Sequence, residues 1–298
     1  MRKAMVSLIL VMGTVALMAP PVSAAEVVKL MVYTETAGFR HASITAGIAA
    51  LNKLVVDEQF EDVDFTVEQV PTSTGAFTDA NLARFDVAVF VSTTGNVLDA
   101  TEQAAFERWV RAGGGYVGIH AAADAEYTWP WYGDLVGGWF KSHPNGTPQA
   151  TVIVEDAVHA STAHLPARWT RVDEWYNYRQ NPRSYVCQTE PEVAGVELQT
   201  TADVTIPTAV DQRPKNCGVH VLLKMDETTY SNNGDAMGAD HPISWCDTWD
   251  GGRTFYTGLG HTDASFTEPN FLTHVSAGIL TAAGIAGYEC VPAEQASS

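Results

Sequence analysis

Basic residues are scarce. Lys and Arg number 17 against 35 Asp and Glu in 298 residues, a formal net charge of −18. A surface of that sign repels polyanions, which excludes nucleic acid and anionic membranes as expected partners. Cysteine is sparse too, with four in all and no C-x-x-C pair, so disulfides are the first reading and a thiolate metal site the weaker one. Beyond the first two dozen residues, no run approaches the roughly 18 apolar residues of a membrane helix. The chain also has no internal repeat and no low-complexity linker.

The first residues read as a leader. "MRK" is basic, "AMVSLILVMGTVALMA" is apolar, and "PPVSA" ends in small residues. Together they predict a secretory signal over 1–24, cleaved near Ala24, and hence a secreted or extracytoplasmic protein. The remainder suits one domain over 25–290 with a tail at 291–298. In an oxidising compartment Cys187, Cys217, Cys246 and Cys290 allow three connectivities. Cys187–Cys217, closing a polar loop, and Cys246–Cys290, stapling the C-terminal segment, are the favoured pairs.

Apolar strands alternate with amphipathic helices through the first half. Strands are predicted at 27–33, 64–70, 86–92 and 116–120, and helices at 43–60, capped by Ser43, and 99–114, capped by Asp99 with Glu102 three residues on. Later strands fall at 149–156, 218–225, 242–247 and 253–260, and a last helix at 269–284. This alternation implies right-handed βαβ units and a mostly parallel sheet.

Ligands of such sheets bind beyond the carboxyl ends of the strands. Three strand ends deliver histidine there: "YTETAGFRH" ends in Arg40 and His41, "GIHAAAD" carries His120 and Asp124, and "YTGLGHT" carries His261. Singly, each is as well explained as a loop or core histidine. Together they suggest a site, with the small alanines after His120 leaving room for a ligand. "GGGYVG" matches a dinucleotide fingerprint in letters only, because it follows a helix and opens a strand, so no nucleotide cofactor is expected. "GIHAA" stands where a nucleophile elbow would, but carries no Ser or Cys. Ser92, in "VSTTG", is a weak alternative nucleophile.

The stretches "YTETAGFRHASI", "FDVAVFVSTTGNVLD", "FERWVRAGGGYVGIHAAAD", "WPWYGDLVGGWFKSHP", "VDEWYNY", "MGADHPISWC" and "YTGLGHT" resemble the ThuA-like (trehalose utilisation) family over about 27–284. The resemblance implies the fold of class I glutamine amidotransferases: α/β, a flavodoxin-like doubly wound, mostly parallel sheet with helices on both faces. It implies a link to sugar metabolism but not a glutaminase, since His120 stands where that nucleophile is expected. Residues of about 184–218 look inserted relative to shorter members.

Carried over residue by residue, the resemblance assembles His41, His120, Glu174 and His261. His120 and Glu174 are the candidate catalytic pair, because partial burial beside Trp175, Tyr176 and Tyr178 is expected to raise the carboxyl's pKa, which suits a general acid or base. Arg40, His41, Asp124, Trp129, Tyr176 and His241 are candidate substrate contacts, Trp129 for stacking on a sugar ring. His143 and His241 each precede proline and read equally as turn residues. His41, His120 and His261 suit a divalent metal such as Zn²⁺. The expected partner is a small sugar or glycoside. An enzyme acting on a carbohydrate or oxidised sugar by hydrolytic or acid–base chemistry, and a non-catalytic carbohydrate-binding protein of the cell exterior, both remain open.

Overall fold

The structure, a computed structural model, describes residues 25–54, 63–70, 75–189 and 218–290. The expected leader, the tail at 291–298, Cys217 and most of the 184–218 segment lie outside the described residues.

In chain order the elements are β1 (Glu26–Tyr33), α1 (Ile44–Lys53), β2 (Val63–Gln69), α2 (Asp79–Leu82), β3 (Val87–Val91), β4 (Thr94–Gly95), α3 (Ala100–Arg111), β5 (Gly115–Ile119), β6 (Asp124–Ala125), α4 (Pro130–Val136), β7 (Phe140–Ser142), β8 (Gln149–Val154), β9 (Arg168–Val172), β10 (Asn177–Tyr178), β11 (His220–Asp226), β12 (Pro242–Trp249), β13 (Gly252–Thr257) and α5 (Pro269–Ala283). Nine strands form one sheet in the order β2-β1-β3-β5-β13-β12-β11-β8-β9.

From β2 to β13 every pairing is parallel. β3 and β5 lie in the middle of this half, and every residue of both is buried, as their unbroken apolar runs require. From β13 to β9 every pairing is antiparallel. β11 and β9 therefore point the same way as the parallel five, and the sheet is mostly parallel in strand direction. The antiparallel half was not foreseen. Its strands follow one another without intervening crossover helices, and strands so joined pair antiparallel.

One local reading is corrected. Ser43 does not cap α1; its backbone is already helical and its hydroxyl donates to the Gly260 carbonyl at 3.2 Å. Residues 55–60 of the expected helix lie outside the described residues. By contrast, Asp99 accepts from the backbone of Thr101 and Glu102 and forms the expected capping box on α3. Cys246 and Cys290 form a disulfide that ties β12 to the segment after α5. Cys187 is also disulfide-bonded. Among the described residues, no helix is long and apolar enough to cross a membrane.

Candidate active site

Four strand ends meet at one edge of the sheet. β1 runs on to His41, β5 to His120, β13 to His261, and β9, which points the same way, to Asp173 and Glu174. Each delivery is built locally. The loop after β1 is pinned where Ala37 and Gly38 donate to the Thr94 carbonyl and the Thr94 hydroxyl donates back to the Phe39 carbonyl. His120 sits at φ 51°, a left-handed conformation that costs a side-chain-bearing residue about 1–2 kcal/mol. Tyr256 holds it there by donating to the His120 carbonyl at 2.8 Å.

The turn to His261 hangs on Asp173. This fully buried carboxylate accepts from the backbone N–H of Gly260 and of His261, each at 2.9 Å, and from Arg171 at 2.9 Å. Gly260 lies at φ 111°, where any side chain would be strained.

Glu174 is the hub. Its Oε2 lies 3.4 Å from His120 Nε2 and 3.2 Å from His261 Nδ1, while its Oε1 lies 3.2 Å from His143 Nδ1. His120 Nε2 and His261 Nδ1 are 3.1 Å apart. The other nitrogen of His120 faces the Gly258 carbonyl at 2.9 Å. A carbonyl only accepts, so Nδ1 carries a proton and Nε2 is the nitrogen that faces the site. His41 stands edge-on to both rings, with centroids 4.8 Å from His120 and 5.1 Å from His261.

The raised Glu174 carboxyl expected from its aromatic neighbours is corrected: burial alone would raise it, but the bonds from His120 and His261 outweigh that and hold the group well below the usual carboxylate range. Burial, reinforced by the neighbouring His120 and His261, pushes His41 down to about 3. His261 is raised by its bond to Glu174. The site thus pairs an ionised carboxylate with a neutral, buried His41.

Above this cluster opens a cavity of about 390 Å³. His41, Glu174 and His261 form its floor, Phe39, Phe140 and Tyr176 its aromatic walls, and Asp124 and His143 its polar flanks. Tyr176 lies over His120 with centroids 4.3 Å apart and packs on Phe140 at the same distance. Asp124 accepts from the Tyr127 hydroxyl at 2.5 Å, and burial raises its carboxyl.

The expected residues do not all meet here. His41, His120, Glu174 and His261 come together, and Asp124 and Tyr176 line the cavity. Arg40 is exposed and donates to the Thr34 carbonyl at the start of its own loop. Trp129 is corrected: it is buried, donates to Glu107 of α3 and stacks on Trp131, because it starts α4 rather than standing in an open loop. His241 is fully buried behind the site, bonded to Glu227 at 2.7 Å and to the Tyr176 carbonyl at 2.8 Å. The alanines after His120 are likewise packed into the core as a 3₁₀ turn, not left open for a ligand. Ser92 is fully buried, with no hydrogen-bond partner for its hydroxyl. Phe39, which the first strand end was expected to deliver with His41, lines the cavity. Phe140 and Asp173 were missed. Asp173 had one signal, its place beside Glu174 in "DEW"; Phe140 had none.

The ThuA family, described as trehalose utilisation, matches residues 29–213 and 189–282. The chain belongs to this family. Among solved structures it is similar to a ThuA-like protein from Bacteroides uniformis ATCC 8492, with 23% identity over 88% of this chain and 96% of that one and a TM-score of 0.60. It is also similar to a ThuA-like protein from Parabacteroides merdae ATCC 43184, with 16% identity over 89% and 93% and a TM-score of 0.58. At these identities the likeness establishes a shared ThuA fold. No curated protein matches the chain.

Proposed function

We propose that this ThuA-family chain is an exported enzyme that acts on a carbohydrate or an oxidised sugar derivative by proton-transfer, hydrolytic chemistry. The carrying observation is Glu174: a buried carboxylate kept ionised by imidazoles, on the floor of a cavity with aromatic walls. Membership of a trehalose-utilisation family supports a sugar as substrate.

In this reading Glu174 is the base. Its Oε2 is held by His120 and His261, which leaves Oε1, the oxygen beside His143, to take a proton. His120 is the acid–base partner, with its tautomer set by the Gly258 carbonyl. The rings of Phe39, Phe140 and Tyr176 suit the apolar face of a sugar, and Asp124 suits a hydroxyl. The leader read over 1–24 and the Cys246–Cys290 bond support export. The order β2-β1-β3-β5-β13 supports a doubly wound, flavodoxin-like reading of the parallel half.

The test is product analysis by NMR with trehalose and a mono-oxidised (keto) trehalose as probes. Turnover that falls by about 10²-fold or more in Glu174→Gln supports the proposal. Calorimetric binding of either probe without any product would instead make the chain a carbohydrate-binding protein.

A further inference from the structure

The atoms at the cavity floor are spaced like ligands around a common centre. His120 Nε2, His261 Nδ1 and Glu174 Oε2 form a triangle with sides of 3.1, 3.2 and 3.4 Å. Donors about 2.05 Å from a tetrahedral ion stand about 3.3 Å apart. His120 turns its Nδ1 to the Gly258 carbonyl at 2.9 Å, so Nε2 is the ring nitrogen it brings to the triangle.

A second observation points the same way. His41 is 5% exposed, and its Nδ1 is buried with no hydrogen-bond partner. One ligand atom from each of His41, His120, Glu174 and His261 lies within 4.8 Å of the others. Buried polar groups without partners are rare, and an unseen ion is one of the few reasons for one.

We infer that His41, His120, Glu174 and His261 form a binding site for one divalent transition-metal ion of the Zn²⁺ class. Three imidazoles and one carboxylate are borderline donors, which select Zn²⁺ over Mg²⁺ or Ca²⁺. The supporting shell is already in place: the Gly258 carbonyl orients His120, and Asp173 holds the backbone of His261. When bound, the ion supplies a Lewis acid at the cavity floor. Glu174 Oε1 stays free of the triangle, so the carboxylate can hold the ion through one oxygen and take a proton through the other. The inference shares its location with the proposed function but does not depend on a sugar.

The test uses metal alone. Chelator-stripped protein is titrated with Zn²⁺ by calorimetry and with Co²⁺ by visible absorption. The expected result is saturation at one ion per chain, with the intense d–d bands of a four-coordinate Co²⁺ site. Glu174→Gln and His261→Ala, each checked for folding by circular dichroism, should weaken binding by at least about tenfold. Zn²⁺ should raise the melting temperature of the wild type only. Exposed His164→Ala is the control and should bind as the wild type does. If either site variant fails to fold, the Co²⁺ spectrum of the wild type decides, since octahedral bands or no saturable uptake overturn the inference. Uptake unchanged in the folded variants overturns it as well. A chain that binds Zn²⁺ but converts no sugar retires the proposed function and leaves this site standing; chelator-insensitive turnover without uptake does the reverse.

Discussion

At the residue scale, the site depends on a carboxylate that touches no substrate. Asp173 binds the N–H groups of Gly260 and His261 with its two oxygens and also compensates the buried Arg171 guanidinium. Asparagine keeps the shape but brings one acceptor and turns an N–H₂ towards donors. Asp173→Asn should cost about 3 kcal/mol in urea unfolding, because it removes the closer and more buried of the two carboxylates that pair with Arg171, leaving only Glu268 at 3.5 Å. It should also loosen His261, weakening Zn²⁺ binding even in the fraction that folds. The adjacent Glu174 has the opposite task, facing the cavity with one oxygen and the imidazoles with the other. Two neighbouring carboxylates thus divide into one that orients the His261 turn and one that faces the cavity. Only "DEW" hinted at this, and the letters do not say which residue points inward.

At the element scale, the antiparallel half of the sheet completes the site. β9 lies four pairings away from β13, at the far edge, yet it supplies Asp173 and Glu174. The ends of this half are tied down by the Cys246–Cys290 bond, which closes a span of 44 residues around β13 and α5. Chain-entropy arguments give such a bond about 4 kcal/mol at most, through the unfolded state. Replacing both cysteines with serine should lower the urea midpoint accordingly. It should leave Zn²⁺ uptake intact in the folded fraction, since neither cysteine touches the cavity. The helices with strong end signals, α3 above all, were legible because caps act within a few residues. The antiparallel pairing was not: three of its four pairs join consecutive strands, and an apolar run does not by itself say whether the next strand turns back or crosses over.

At the scale of the whole molecule, burial of neutral histidine makes stability depend on pH. His274, fully buried on α5, bonds the Ser161 carbonyl and the Ser244 hydroxyl, and burial pushes it down to about 3. The unfolded chain takes up a proton near pH 6.5 that the folded chain refuses, so stability falls as pH drops from there. Between pH 7 and pH 5 this one group should cost about 2 kcal/mol. His159, lowered to about 4 by burial, adds to the trend. Asp247 opposes it, since burial raises its carboxyl to about 7 and folding then favours its protonated form. Urea unfolding of wild type and His274→Gln at pH 7 and pH 5 isolates the term: the variant should lose about 2 kcal/mol less than the wild type.

What the sequence determined by itself was local. Apolar runs set the strands of the parallel half, the Asp99–Glu102 pair set the start of α3, and glycine, histidine and chain direction placed His41, His120 and His261 beyond strand ends. These follow from periodicity and capping, which act over a few residues. Tertiary structure decided the rest: that β9 points with the parallel strands and adds Glu174, that Trp129 faces the core, that Phe39 and Phe140 wall the cavity, and that His41 Nδ1 is buried unpaired. The reason is physical. A donor triangle a few ångströms wide is fixed by packing between segments 54 to 141 residues apart, and no local pattern carries that distance.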